Sequence, residues 1–167
     1  YFIAERLGAH RIAFGLCLLC AAGLGWRTFD RNRDFQSELS IWSDTISKRP
    51  DNARAHLNLG QALAAADRMK DALAQQGRAL DIKPRYAEAF DSIGHIMFRT
   101  GNMPQAAEAF RRALDVTPDS FESHYNYGQA LLHMNQLGEA EREFELVLQL
   151  RPDITQAREK LNEVQSL

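Results

Sequence analysis

Apolar and polar positions follow two different rhythms along this chain. Residues 12–26, IAFGLCLLCAAGLGW, carry no charge and show no alternation. Further on, apolar residues recur three and four apart, the spacing that lines one face of an α-helix. Leu59 and Leu63, then Phe90, Ile93 and Met97, then Tyr127 and Leu131 mark one set of helices. A second set carries Ala72, Ala79, Leu80 and Ile82; Ala106, Phe110, Ala113, Leu114 and Val116; and Ala140, Phe144, Val147, Leu148 and Leu150. The strict apolar/polar alternation of half-buried strands is missing, so the expected class is all-α.

The pattern itself recurs. Pro50, Pro84, Pro118 and Pro152 are spaced by 34 residues, as are Gly60, Gly94 and Gly128, Ala72, Ala106 and Ala140, and Leu80, Leu114 and Leu148. A fixed period of this length predicts stacked helical hairpins in place of one globular core. Three units follow, 53–86, 87–120 and 121–154, within a repeat region at 51–154. The mid-helix glycines each cost about 1 kcal/mol against alanine. Their recurrence predicts close approach of a partner helix. Asp67, Gly101 and Asn135 are the expected hairpin turns, because these residue types tolerate the left-handed conformation that ends a helix. Asp51, Asp119 and Asp153 are the expected N-caps, with capping-box spacing at Asp119/Glu122 and Asp153/Gln156. Residues 155–167 form a capping helix through Ala157, Leu161 and Val164. Residues 31–50 are expected to form a linker and capping helix, Phe35 to Lys48 reading as the second helix of an incomplete unit that roofs unit one, with Trp42 at the register of Phe110 and Phe144.

The uncharged run, with its flanks, makes residues 1–30 a membrane-anchor candidate. Fifteen residues make about 22 Å of helix, against about 20 residues for a full span. Arg11 and Arg27 at its ends can snorkel, bringing 11–29 to span length. A cleavable signal peptide and a buried helix are the alternatives left open, and the flanking charges assign no orientation. Cys17 and Cys20 within it have no cation to activate a thiol and too few partners for zinc, so they read as packing residues. The chain begins at Tyr1, which implies either removal of a segment or a longer polypeptide.

Composition narrows the function. Formal net charge is −2 with a quarter of residues charged, too balanced for a surface that tracks phosphates, so nucleic acid is excluded as a partner. No Ser-His-Asp grouping, phosphate-cradling glycine loop or H-E-x-x-H spacing occurs, so no catalytic constellation, metal or cofactor is expected. His56, His95, His124 and His133 read as surface or packing residues.

The combination of Leu59-Gly60, Ala72, Ala79 and Pro84, then Phe90, Ile93-Gly94, Ala106, Phe110, Ala113 and Pro118, then Tyr127-Gly128, Ala140, Phe144 and Pro152 resembles the tetratricopeptide repeat (TPR). Gln76 departs from it, replacing a large apolar residue, and His56 and His124 stand where an aromatic is frequent. The resemblance implies a right-handed α-solenoid of three hairpins with flanking helices, here preceded by a membrane helix. It implies a protein or peptide ligand in a concave groove lined by the first helices. The candidate groove residues are Arg54, Asn58 and Gln61; Glu88, Ser92, His95 and Arg99; and Tyr125, Asn126, Gln129 and His133. Asn58, Ser92 and Asn126 share one register, so side-chain amides could pair with an extended peptide backbone. Asparagine is also common in Asn-Leu-Gly strings, which leaves a purely structural reading open. The cationic clamp for chaperone tails is rejected, because Glu122 and Asn126 occupy its registers.

The junction RTFDRNRDFQSELSIWSDTISKRPDNARAHLNLG resembles the link between the last span and the first repeat in transmembrane-and-TPR proteins similar to O-mannosyltransferases. That resemblance implies repeats on the non-cytoplasmic side of a membrane, and catalytic loops in upstream segments not represented here. Two functions follow: a membrane-anchored scaffold or assembly module, or the substrate-capturing part of a polytopic glycosyltransferase.

Overall fold

A computed structural model describes residues 38–167. The membrane-anchor candidate, both cysteines and the start of the roofing helix lie outside these residues. Among the described residues the fold is all-α. Helix α1 covers 38–48. It is followed by α2 (Ala53–Ala65), α3 (Met69–Ile82), α4 (Ala87–Arg99), α5 (Met103–Leu114), α6 (Phe121–His133), α7 (Leu137–Leu150) and α8 (Thr155–Gln165). None of these helices is long and apolar enough to cross a membrane.

The helices pair as α2/α3, α4/α5 and α6/α7, and the principal contacts otherwise run between neighbouring pairs and on to α8. This is an open stack, not a closed bundle. Its core is accordingly segmented. Leu59, Leu63, Ala72 and Ile96 form one cluster, roofed by Leu39, Trp42 and Ile46 of α1. Ala106, Ala107, Phe110 and Ala130 form another, and Leu131, Ala140, Phe144 and Val164 close the far end. Trp42 of α1 packs against the unit-one cluster, and Ala157 and Val164 of α8 are buried.

Each hairpin depends on one glycine. A Cβ built on Gly94 would lie 2.5 Å from Phe110 Cε1, and one on Gly128 2.9 Å from Phe144 Cε1. A Cβ on Gly60 would collide with the Gln76 amide. Phe110 and Phe144 are at most 1% exposed, so neither ring can swing away to water. A small residue thus lets the second helix seat Gln76, Phe110 or Phe144 directly on the backbone of the first.

The turns fall where the residue types indicated. Asp67 (φ 63°), Gly101 (φ 78°) and Asn135 (φ 58°) adopt the left-handed conformation. In each hairpin the next amide closes a six-residue ring onto the preceding helix: Arg68 N–H to Leu63 O (2.9 Å), Asn102 to Met97 O (2.8 Å) and Gln136 to Leu131 O (2.9 Å). This is the helix-ending motif that satisfies otherwise orphaned carbonyls.

The expected N-caps need correction. Asn52 caps α2, its side chain accepting from Ala55 N–H at 3.1 Å, and Ser120 caps α6, accepting from Ser123 N–H at 3.2 Å. Ile154 precedes α8 without a side-chain cap, and Asp153 pairs instead with Arg151. The reason is the proline before each aspartate. Pro-Asp takes the two central positions of a β-turn closed by Asn52 N–H to Arg49 O (3.2 Å), Ser120 N–H to Thr117 O (3.3 Å) and Ile154 N–H to Arg151 O (3.3 Å). The cap position therefore falls one residue after the aspartate, and the helix starts two residues after it.

Two buried histidines lock these turns to the stack. In unit three, His124 Nδ1 lies 2.6 Å from Glu143 Oε2 and Nε2 lies 2.8 Å from Pro118 O. In unit one, His56 makes the equivalent bonds to Gln75 Oε1 (2.7 Å) and Pro50 O (3.0 Å). Both partners of His124 accept only, so both bonds form together only when the ring is doubly protonated. The hydrogen bond to Glu143 accordingly raises the His124 pKa, against the opposing effect of burial.

Two outcomes follow from this packing. Gly94→Leu should cost more than about 3 kcal/mol, the upper end of ordinary overpacking, and abolish cooperative thermal unfolding followed by circular dichroism; a cooperative, folded variant contradicts the close-approach account. A group whose folded pKa is raised stabilises fully below its unfolded pKa, and that contribution is lost as pH rises through the folded value. Above the ordinary histidine pKa of about 6.5, the native chain should therefore lose more stability with rising pH than Glu143→Gln, which gives unit three the neutral partner of unit one. Parallel denaturant midpoints across pH 6–8 for the two chains would remove the imidazolium clamp.

Candidate functional site

The first helices of the three pairs share a face. α2 packs directly on α4. α4 is joined to α6 by side chains: Ser123 Oγ to Asp91, Asn126 Nδ2 to His95 Nε2 at 3.3 Å, and an edge-on contact of Phe98 with His133, ring centroids 5.1 Å apart. Their common orientation comes from the glycine seats, which press the opposite side of each helix onto its partner.

Three adjoining clefts open on this face, and Gln61 is a wall of all three. The first, about 390 Å³, runs between α2 and α4, past Ala64, Ser92, His95 and Arg99. The second, about 690 Å³, lies at the start of α2, beside Arg54, Asn58, Tyr86 and Glu88. The third, about 390 Å³, runs from Asn58 and Gln61 to Trp42 and Glu38 of α1. Together they make a trough that crosses the roofing helix and the first two pairs.

The sequence-derived groove residues distribute unevenly over it. Arg54, Asn58, Gln61, Ser92, His95 and Arg99 line the clefts. Tyr125, Asn126, Gln129 and His133 lie on α6, outside these three cavities, and only His133 of the four is well exposed. Ser92 was expected to be exposed and is not. It is 7% accessible, and its hydroxyl accepts from Gln76 Nε2 at 2.8 Å. The cause is the Gln76 substitution itself: an amide in the aromatic seat needs a polar partner, and the neighbouring unit supplies it. The row Asn58–Ser92–Asn126 is thus interrupted at its centre.

Arg99 is likewise committed, donating to Ala64 O at 2.8 Å and to Asp67 at 3.3 Å. It ties α4 to the end of α2 and spends its charge on the Asp67 carboxylate. His95 stands edge-on to Phe110, centroids 5.3 Å apart, and loss of hydration against these neighbours pulls its pKa below the ordinary value. Among the described residues, no three His, Cys, Asp or Glu side chains converge to hold a metal ion.

Asp91, absent from the expected set, also lines the first cleft. Burial lifts its pKa to about 6, with Glu88 and Glu122 adding to the rise and the Ser123 hydroxyl opposing it. A signal was present in the chain: the same register holds Leu57 and Tyr125 in the flanking units, so an acid there breaks an apolar column.

Comparison with known proteins bears on this geometry. A family model described as "Tetratricopeptide repeat" matches residues 27–89 and 93–154. A protein O-mannosyl-transferase of Caenorhabditis elegans is 30% identical over 107 residues, covering 52% of this chain. The chain spans only 15% of that relative's length. Among solved structures, MamA is similar at a TM-score of 0.74 and 18% identity, covering 81% of this chain and 79% of MamA. YrrB, described as a TPR protein with an unusual peptide-binding site, is similar at 0.68 and 17% identity, covering 80% and 69%. The first TPR of Spaghetti (RPAP3), bound to the HSP90 peptide SRMEEVD, is similar at 0.66 and 18% identity, covering 68% and 90%. At these identities the likeness is one of fold.

Proposed function

The chain belongs to the tetratricopeptide repeat family, and from that premise we propose that it is a non-catalytic binding module. It captures an extended peptide or protein segment in the trough formed by its first helices. The observation that carries this reading is the set of three clefts that share Gln61 as a common wall. Such a surface suits a segment lying across successive helices, because the clefts run from α1 over α2 to α4, with the exposed or half-exposed polar side chains Arg54, Asn58 and Gln61 at their shared edge. Asn58 and Asn126 serve the ligand backbone as donors and acceptors. Tyr125, Gln129 and His133 extend the contact along α6, within a right-handed superhelical sweep. Two of the similar solved structures carry peptide-binding descriptions, which favours the same use here.

Residues 11–29 anchor this module to a membrane, with the repeats on the non-cytoplasmic side, and the module acts there as a scaffold or assembly factor. Support for the anchor is the uncharged run 12–26 flanked by Arg11 and Arg27. A second reading is favoured by the O-mannosyl-transferase relative: the chain is the substrate-capturing region of a polytopic membrane glycosyltransferase. In that reading the trough holds the acceptor protein while chemistry occurs on another part of the polypeptide.

The double variant Asn58→Ala, Asn126→Ala should retain full helicity by circular dichroism. It should bind extended dodecapeptides about 5- to 30-fold more weakly, roughly 1 kcal/mol per lost net hydrogen bond; unchanged affinity removes the amide role. Flotation with phosphatidylcholine vesicles tests the anchor. Chain 1–167 should float and chain 31–167 should stay in the soluble fraction, whereas co-migration of the two would place the attachment elsewhere.

A further inference from the structure

Two residues break the repeat and meet in space. Where units one and three hold Leu57 and Tyr125, unit two holds Asp91; where units one and two hold Ala55 and Ala89, unit three holds Ser123. Ser123 is fully buried, and its Oγ lies 2.9 and 3.1 Å from the two Asp91 carboxylate oxygens. The equivalent Leu57 packs against Ala79, Tyr86 and Ala89, so this register is an apolar one. A carboxylate placed there gives up packing and hydration together. Such a departure from local consistency marks a position kept for something other than stability.

The surroundings state what Asp91 lacks. It opens into the cleft of about 390 Å³, whose other acidic wall is Glu88. Arg99, the cation of that wall, is engaged by Asp67 and Ala64 O. Among the described residues, no Lys or Arg forms an ion pair with Asp91. His95 is held toward its neutral form. Glu122 lies close enough to raise the Asp91 pKa further. Asp91 therefore has no cation paired with it among the described residues, and Ala64, Ala65 and Ile96 stand nearby as apolar walls. Behind Ser92, Gln76 adds a second off-register polar group whose Oε1 is buried without a partner among the described residues. The acids do not converge as metal ligands, which favours one organic cation on an aliphatic stem.

We propose that Asp91 is the anchor for a lysine or arginine side chain of the peptide segment seated in the trough. The inference rests on the groove reading above and specifies its ligand chemistry. The Ser123 hydroxyl holds the carboxylate in a fixed rotamer before the ligand arrives. The incoming ammonium or guanidinium then forms a charge-assisted hydrogen bond in a partly desolvated site. Ala64, Ala65 and Ile96 cover the methylenes of the stem. Glu88 and Glu122 attract the cation from outside.

The test uses two unstructured dodecapeptides of Ser, Asn and Gly, identical except for their two central residues, lysine in one and norleucine in the other. Each is titrated into the full chain and its affinity read by fluorescence anisotropy. The lysine peptide should bind at least about 10-fold more tightly, and Asp91→Asn, which keeps a partner for Ser123, should erase the difference while helicity is unchanged. Equal affinity of the two peptides overturns the anchor and leaves the groove reading standing. A lysine preference that survives Asp91→Asn overturns it too, assigning the attraction to Glu88 and Glu122. Absence of binding by either peptide overturns the anchor and counts against the groove reading as well.

Discussion

The whole stack depends on how closely two helices approach at Gly60, Gly94 and Gly128. A hydrogen at these positions leaves room for Gln76, Phe110 and Phe144 to sit on the facing backbone. At Gly94 and Gly128 the cost of a mid-helix glycine is offset by burial of a phenylalanine ring that no single helix could bury alone, and at Gly60 the buried group is the Gln76 side chain. That seating sets the roll of every first helix about its axis. One side is pressed into the pair and the other is left to face the trough. The left-handed residues at Asp67, Gly101 and Asn135 then reverse the chain at a distance that keeps the glycine opposite its partner.

Because each pair packs in the same way, first within itself and then on its neighbours, the three units are nearly interchangeable as structure. Their differences lie in a few polar substitutions. Unit one uses an amide in the aromatic seat, and this draws Ser92 out of the exposed row and into a buried hydrogen bond. Unit two places Asp91 in an apolar column, and unit three answers with Ser123. Units one and three tie their leading proline turns down through His56 and His124, whereas unit two uses Phe90 and Ala109 at the same registers. A polar residue at a repeat position is costly alone and tolerable in company, so these substitutions occur as spatial couples drawn from adjacent helices.

The ends of the stack follow the same logic. Trp42 of α1 and Val164 of α8 supply the apolar surface that a further unit would have supplied. The trough extends onto α1 for that reason, since the roofing helix occupies the place of a preceding second helix and contributes Glu38 and Trp42 to a cleft.

Period, class, turn positions and the reason for the glycines were all legible in the chain, because each is a local property multiplied by repetition. A left-handed turn favours Gly, Asn or Asp wherever it occurs, and a 34-residue recurrence makes three weak signals one strong one. The caps were misplaced by one residue because Pro-Asp can enter either a β-turn or a helix start, and only the closing hydrogen bonds decide between them. The cleft-lining face was legible in part: that Arg54, Asn58 and Gln61 share one side of a helix follows from periodicity. The burial of Ser92, the commitment of Arg99 to Asp67, and the meeting of Asp91 with Ser123 do not. Those pairs lie 16, 32 and 32 residues apart. A sequence by itself determines what each helix must hide. Only the packed stack decides which polar groups satisfy one another and which are left facing the trough, because hydrogen bonds between helices depend on distances that no single segment contains.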